Sequence, residues 1–261
     1  MIRSCCALVL TGLLLAALSC GESSETSTRR TVSVAAASDL RFALPEIEAA
    51  FERAHPDTDL VASYGSSGSF FAQILQNAPY DVFLSADAEY PQKLVEAGRA
   101  EPSFPYAVGQ VALIVPKDSA LDIERRGLSV LQDSAVKKIA TANPAHAPYG
   151  RAAMAALDAF GADAEVRAKL VSGDNVAQAA QFVETGAAEV GLVALSLAVS
   201  AALKAKTRHV VIPISFSPGL SQRGVVLRAA ENLAGAARFA AFLSGAEARQ
   251  ILVRNGYGTD F

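Results

Sequence analysis

Cysteine is scarce in this chain of 261 residues, and none of its three cysteines lies beyond position 20. Cys5 and Cys6 lie inside the leader and Cys20 follows its apolar run, so the rest of the chain has no internal disulfide to rely on. Its stability has to come from burial, which an apolar content of 51% can supply. Basic runs are also missing. With 23 Lys and Arg against 26 Asp and Glu the net charge is −3, and loss of Arg3 with a leader would make it more negative. A mildly acidic chain without polybasic segments is a poor partner for nucleic acid or an anionic membrane surface. Any anion it binds must be held by local donors. The three histidines, His55, His146 and His209, stand far apart in unrelated contexts, and His146 reads as a loop histidine. No Gly-Lys-Ser/Thr follows the glycine-rich turn at 65–68, which excludes a P-loop. Ser69 occupies the fifth place of Gly65-x-Ser67-x-Ser69, where a nucleophile elbow needs glycine.

What is present begins with Arg3, the apolar run Ala7 to Leu18 and then Ser19-Cys20-Gly21, the layout of a secretory signal. The run is shorter than the roughly 20 residues of a transmembrane helix. Ala17-Leu18-Ser19-Cys20 resembles the lipobox of bacterial lipoproteins, with the leucine one place later than usual. The resemblance implies a signal peptide over 1–19, acylation of Cys20, and a tether over 20–31 holding the protein at the outer face of the cytoplasmic membrane or in the periplasm.

Beyond the tether, strands and helices alternate. Thr31 to Ala36, Leu60 to Tyr64 and Asp81 to Ser85 read as strands, each followed by a helical pattern such as Leu40, Leu44, Ile47 and Phe51. Three such units in a row predict a parallel sheet with right-handed crossovers. A long strand is expected over Val108 to Val115. A second α/β block follows, with strands at 138–142, 190–194 and 209–214 and helices at 151–160, 164–170 and 176–185. Strand 225–227 and helices 233–243 and 246–254 close the chain. The expected architecture is two α/β lobes, 32–108 with 216–261 and 109–215, each a mostly parallel sheet flanked by helices, with two crossover strands near Val108 and Phe216.

In parallel sheets ligands bind at the carboxyl ends of strands, where helix N-termini present free N–H groups. Four strand-to-helix junctions therefore carry the chemistry. At Ala35-Ala36-Ala37-Ser38-Asp39, small residues allow close approach, and Ser38 or Asp39 is either a donor site or a plain N-cap. Tyr64-Gly65-Ser66-Ser67-Gly68 is a nest of amides and hydroxyls or a flexible turn. Asn143-Pro144-Ala145-His146-Ala147-Pro148-Tyr149-Gly150 is a stiffened helix-opening loop. In Ser172-Gly173-Asp174-Asn175-Val176 the Asp or Asn side chain is the cap, which leaves the amide of Val176.

Together with Asp81-Val82-Phe83-Leu84-Ser85-Ala86-Asp87 and Gly256-Tyr257-Gly258, these segments resemble the molybdate-binding proteins of ABC transporters, which have the type II periplasmic-binding fold. The resemblance runs from Val32 to Gly258. It implies that Ser38 and Ser67 donate from one lobe, and the amides of Tyr149 and Val176 from the other, to molybdate or tungstate. It further implies a monomeric binding protein, not an enzyme, with no cofactor and an ABC permease as partner. Relatives often carry a tyrosine after Gly-[Ile/Leu]-Val, but here Gly191-Leu192-Val193 is followed by Ala194. The Tyr149 hydroxyl is a candidate replacement. Other readings are a sulfate or phosphate binder, or a secreted serine hydrolase using His146.

Overall fold

The computed structural model describes residues 30–260; the leader, Cys20 and the tether up to residue 29 lie outside them. Among the described residues no helix is long and apolar enough to cross a membrane.

The first lobe starts with β1 (Arg30–Ala37), a tight 3-10 turn over Ser38–Arg41, and α1 (Leu44–Ala54). In α1 the residues Leu44, Ile47, Ala50 and Phe51 are buried at helical spacing, and Pro45 sits in the first turn, where no N–H is needed. β2 (Thr58–Gly65), α2 (Ser67–Leu75), β3 (Val82–Ser85), α3 (Glu89–Glu96) and β4 (Phe104–Gly109) follow. The chain then builds a second sheet. β5 (Val111–Pro116), the single-turn α4 (Ile123–Arg126), β6 (Ile139–Ala142), α5 (Pro148–Phe160) and α6 (Ala164–Ala168) come first. β7 (Leu170–Gly173), α7 (Val176–Glu184), β8 (Val190–Ala194), α8 (Leu195–Ala198), α9 (Ala201–Lys206) and β9 (Thr207–Val211) complete it. β10 (Leu220–Val226) returns to the first sheet, and α10 (Leu233–Leu243) and α11 (Ala246–Arg254) cover it. Phe51 meets Phe239 and Phe242 edge-on at 5.4 and 5.6 Å, which pins α1 to α10.

The sheet orders are β2-β1-β3-β10-β4 and β7-β6-β8-β5-β9. β1, β2 and β3 are mutually parallel, as are β6, β7 and β8, in keeping with the strand-then-helix units. The sheets are nonetheless mixed. β10 runs antiparallel to β3 and β4, and β5 antiparallel to β8 and β9, because each enters its sheet directly from the other lobe without a crossover helix.

The expected single strand Val108 to Val115 is two strands broken at Gln110, one in each sheet. Gly109 has the Tyr149 hydroxyl and the Gln222 side chain packed where a Cβ would lie, so no larger residue fits at this crossing. The second expected crossover strand is irregular chain over 212–219, with Pro213 and Phe216 inside it, since proline cannot donate to a ladder. The helix expected to reach Leu170 stops at Ala168, and the unforeseen edge strand β7 follows. β10 starts at Leu220, earlier than expected.

Candidate functional site

All four strand-to-helix junctions point into one small cavity. Its volume is about 10 Å³, room for about one water, and it is lined by Ala37, Ser38, Asp39, Gly65, Ser66, Ser67, Ala86, Ala147, Pro148, Tyr149 and Val176. Ser38, Ser67, Tyr149 and Val176 are therefore brought together from four separate junctions. Among the described residues no lysine, arginine or histidine lines the cavity.

Each junction shows how the fold leaves a donor free. Ser66, not Ser67, caps α2: its Oγ accepts from the Ser69 N–H at 3.3 Å. Ser67, buried in the first turn, accepts from the Ala86 N–H at 3.0 Å and so keeps its own hydroxyl proton. Asn175 caps α7 by accepting from the N–H groups of Ala177 and Gln178 at 3.0 and 3.1 Å. Val176 is the first residue of that helix, and its N–H has no carbonyl within the helix to meet. Tyr149, behind Pro148 in the first turn of α5, is in the same position. The Ser38 hydroxyl accepts from the Ala177 N–H at 3.4 Å, across the lobes.

Two readings of the junctions change. Neither Ser38 nor Asp39 caps its turn. The Asp39 carboxyl points inward instead, where one oxygen, Oδ2, accepts from Gln222 Nε2 at 2.7 Å, the Tyr257 hydroxyl at 3.1 Å and the Tyr149 hydroxyl at 3.3 Å. Its main-chain carbonyl accepts from the Ser196 hydroxyl at 3.0 Å. Burial pushes the Asp39 carboxyl up from 3.8 to about 6, against the opposing pull of Gln222, Tyr257 and Tyr149. The same burial, with the Asp39 charge beside it, lifts the Tyr149 phenol well above its usual range. The Tyr149 hydroxyl is thus engaged by Asp39 and Gln222, and Ala194 is fully buried at the end of β8.

His146 is more than a loop residue. Its carbonyl accepts from the Gly68 N–H at 2.8 Å and its Nδ1 lies 2.9 Å from Ser66 Oγ, so the α5 loop is fastened to the start of α2 in the other lobe. A Cβ on Gly68 would sit 2.6 Å from that carbonyl and 2.5 Å from the Tyr90 hydroxyl, so this contact needs glycine. At the rim, Arg151 of α5 binds Asp87, reaches the Tyr90 hydroxyl at 3.3 Å and lies 5.3 Å from that ring's centre. These contacts hold the lobes together around the cavity.

A family model described as "Bacterial extracellular solute-binding protein" matches residues 32–258. The chain belongs to that family. This solute-binding protein is 34% identical over 249 residues to the molybdate-binding protein ModA of Azotobacter vinelandii, covering 94% of this chain and 96% of that one. It is 36% identical over 200 residues to ModA of Rhodobacter capsulatus, covering 76% and 77%. Among solved structures, the periplasmic molybdate-binding protein of Azotobacter vinelandii superposes with a TM-score of 0.82 at 32% identity, covering 88% of this chain and all of that one. The two-lobed α/β architecture of the solute-binding protein is that of the periplasmic binding proteins.

The Asp39, Gln222, Tyr257 and Ser196 cluster was not evident from sequence. Gln222 belongs to a stretch of β10 whose polar residues hid the strand, and an Asp beside a helix start reads as a cap by default. The Gly-Tyr-Gly segment around Tyr257 was the one signal that pointed to it.

Proposed function

We propose that this protein captures molybdate or tungstate between its lobes and delivers it to the permease of an ABC importer. In this reading the hydroxyls of Ser38 and Ser67 and the amides of Tyr149 and Val176 hold the anion. The observation that carries it is the convergence of these four uncommitted donors, from four junctions, on one cavity without a cation. A tetrahedral oxyanion presents acceptors only, and helix N-termini favour negative charge. Each hydrogen bond to a charged group contributes about 1.5–3 kcal/mol net. Four such bonds contribute about 6–12 kcal/mol against an association cost of about 4 kcal/mol or more, which leaves up to about 8 kcal/mol, a dissociation constant of about micromolar at best from these four alone. The relatives named molybdate-binding over nearly the whole chain point to the same ligand class. Molybdate and tungstate present the same charge and the same acceptors, so both belong to the reading. The protein is also proposed to be exported and anchored through lipid on Cys20, to work as a monomer and to need no cofactor.

The test is a thermal-shift and calorimetry panel of molybdate, tungstate, sulfate and phosphate. Ligand at about 100 times its dissociation constant should stabilise the fold by about 2.7 kcal/mol. Stabilisation by sulfate or phosphate, with none by molybdate or tungstate, would move the assignment to another oxyanion.

One observation favours a second reading, a serine hydrolase: the pair Ser66 Oγ and His146 Nδ1 at 2.9 Å. Among the described residues no carboxylate is bonded to His146 to orient it, and Ser66 is already engaged as the cap of α2. Turnover of generic ester substrates, lost in Ser66→Ala, would be needed to revive it.

A further inference from the structure

Among the described residues Asp39 is the only acidic one lining the cavity, and it has no ion-pair partner there. The groups that face it are Tyr149 from α5, Gln222 from β10, Tyr257 beyond α11, Ser196 from α8 and Tyr106 from β4, and none is a cation. Three donors crowd onto Oδ2, whereas Oδ1 is buried without any partner. The amide oxygen of Gln222 is likewise buried and without a donor. The cluster therefore has two orphaned acceptors and lacks a proton. A proton on the carboxyl would supply a donor, and a Gln222 amide turned over would present its oxygen to receive it at the existing 2.7 Å separation.

A dianion placed against Ser38 would lie beside this carboxylate with no cation to offset the repulsion. In a closed, water-poor cavity that repulsion falls on the one group able to neutralise itself. We propose that Asp39 is a proton-binding site coupled to the anion site: its carboxylate takes up one proton from solvent as the oxyanion enters. The inference rests on the oxyanion reading of the cavity. The Ser38 and Ser67 hydroxyls and the first-turn amides then hold the anion, and Asp39 sets the pH range over which they can do so. Its folded, unliganded carboxyl already titrates at about 6, and the anion lifts it further. Affinity should then fall as pH rises from the unliganded value to the liganded one, by up to about tenfold per pH unit.

The test is calorimetry of the full folded chain with sodium molybdate at neutral pH, in buffers of different ionisation enthalpy. Wild-type protein should take up a large fraction of a proton per molybdate, and Asp39→Asn should bind with no uptake and no dependence of affinity on pH in that range. Should Asp39→Asn fail to fold, infrared difference spectra of the wild type still decide, since molybdate should bring up a protonated-carboxyl C=O band. Molybdate binding without proton uptake, or uptake that survives Asp39→Asn and disappears in His146→Asn, overturns the proposal and leaves the oxyanion site standing. Absence of binding by any of the four oxyanions overturns both.

Discussion

Asp39 carries a stability signature of its own, apart from any ligand. Its carboxyl is lifted from 3.8 to about 6, so the folded chain holds the proton more tightly than the unfolded chain does. Stability is then fully present below pH 3.8, falls as pH rises towards 6, and stays lower by about 3 kcal/mol above that. Asp39→Asn should remove that slope from a denaturation series between pH 4 and about 7 and make the protein more stable than wild type at neutral pH. Glu48 also titrates high, at about 7, because burial and the neighbouring Glu52 both disfavour its charge. A slope that persists in Asp39→Asn and vanishes in Glu48→Gln would place the titration on α1. At this scale the meeting of the four junctions on one cavity was legible because small and hydroxyl residues before a helix carry a defined chemistry. The direction taken by the Asp39 and Tyr149 side chains was not legible, because partners more than 100 positions away fix it.

Among the elements, the turns at the carboxyl ends of the strands had the clearest sequence signals and the edges of the sheets the weakest. β1, β3, β6 and β8 were visible as short apolar runs. β7 was not, since Leu170 and Val171 are only half-buried, Ser172 is exposed, and the strand follows a helix without a turn signal. The Gln110 break, too, was missed, because apolar residues stand on both sides of Gly109-Gln110 and read as one strand. The start of α2 shows how one atom sets the fit between elements. The Gly68 N–H meets the His146 carbonyl only because no Cβ stands between them, and that carbonyl is main chain and cannot swing aside. Gly68→Ala should therefore wedge the lobes apart. The expected outcome in stopped-flow binding is a molybdate dissociation rate raised about tenfold or more, with the melting temperature of ligand-free protein changed little. An unchanged dissociation rate would show that closure does not depend on this contact.

For the molecule as a whole, the proposed leader and the folded lobes would act at different places. On the proposed reading the lobes would close on the ligand, and a tether from Cys20 would keep them near the membrane. Labelling of cells with a palmitate analogue should mark the mature protein, and Cys20→Ala should abolish the mark. Release of unlabelled wild-type protein would rule out the anchor and leave the binding site unaffected. The two-lobe plan itself was legible because strand-then-helix units leave few alternatives. The antiparallel members were not, since a strand's direction depends on which sheet it enters.

β10 occupies an inner place in the first sheet, between β3 and β4, although it follows the whole of the second lobe in the chain. The second sheet is drawn from one continuous stretch, Val111 to Val211. As the polypeptide emerges from the ribosome, the later-encoded lobe can therefore mature first, while the earlier one waits with a gap in its middle for its missing strand. That interval exposes the unpaired edges of β3 and β4 to any other strand nearby. On the proposed export the delay would have a use: a first lobe that cannot finish folding until the second has been made would stay threadable through a translocation pore for most of its synthesis.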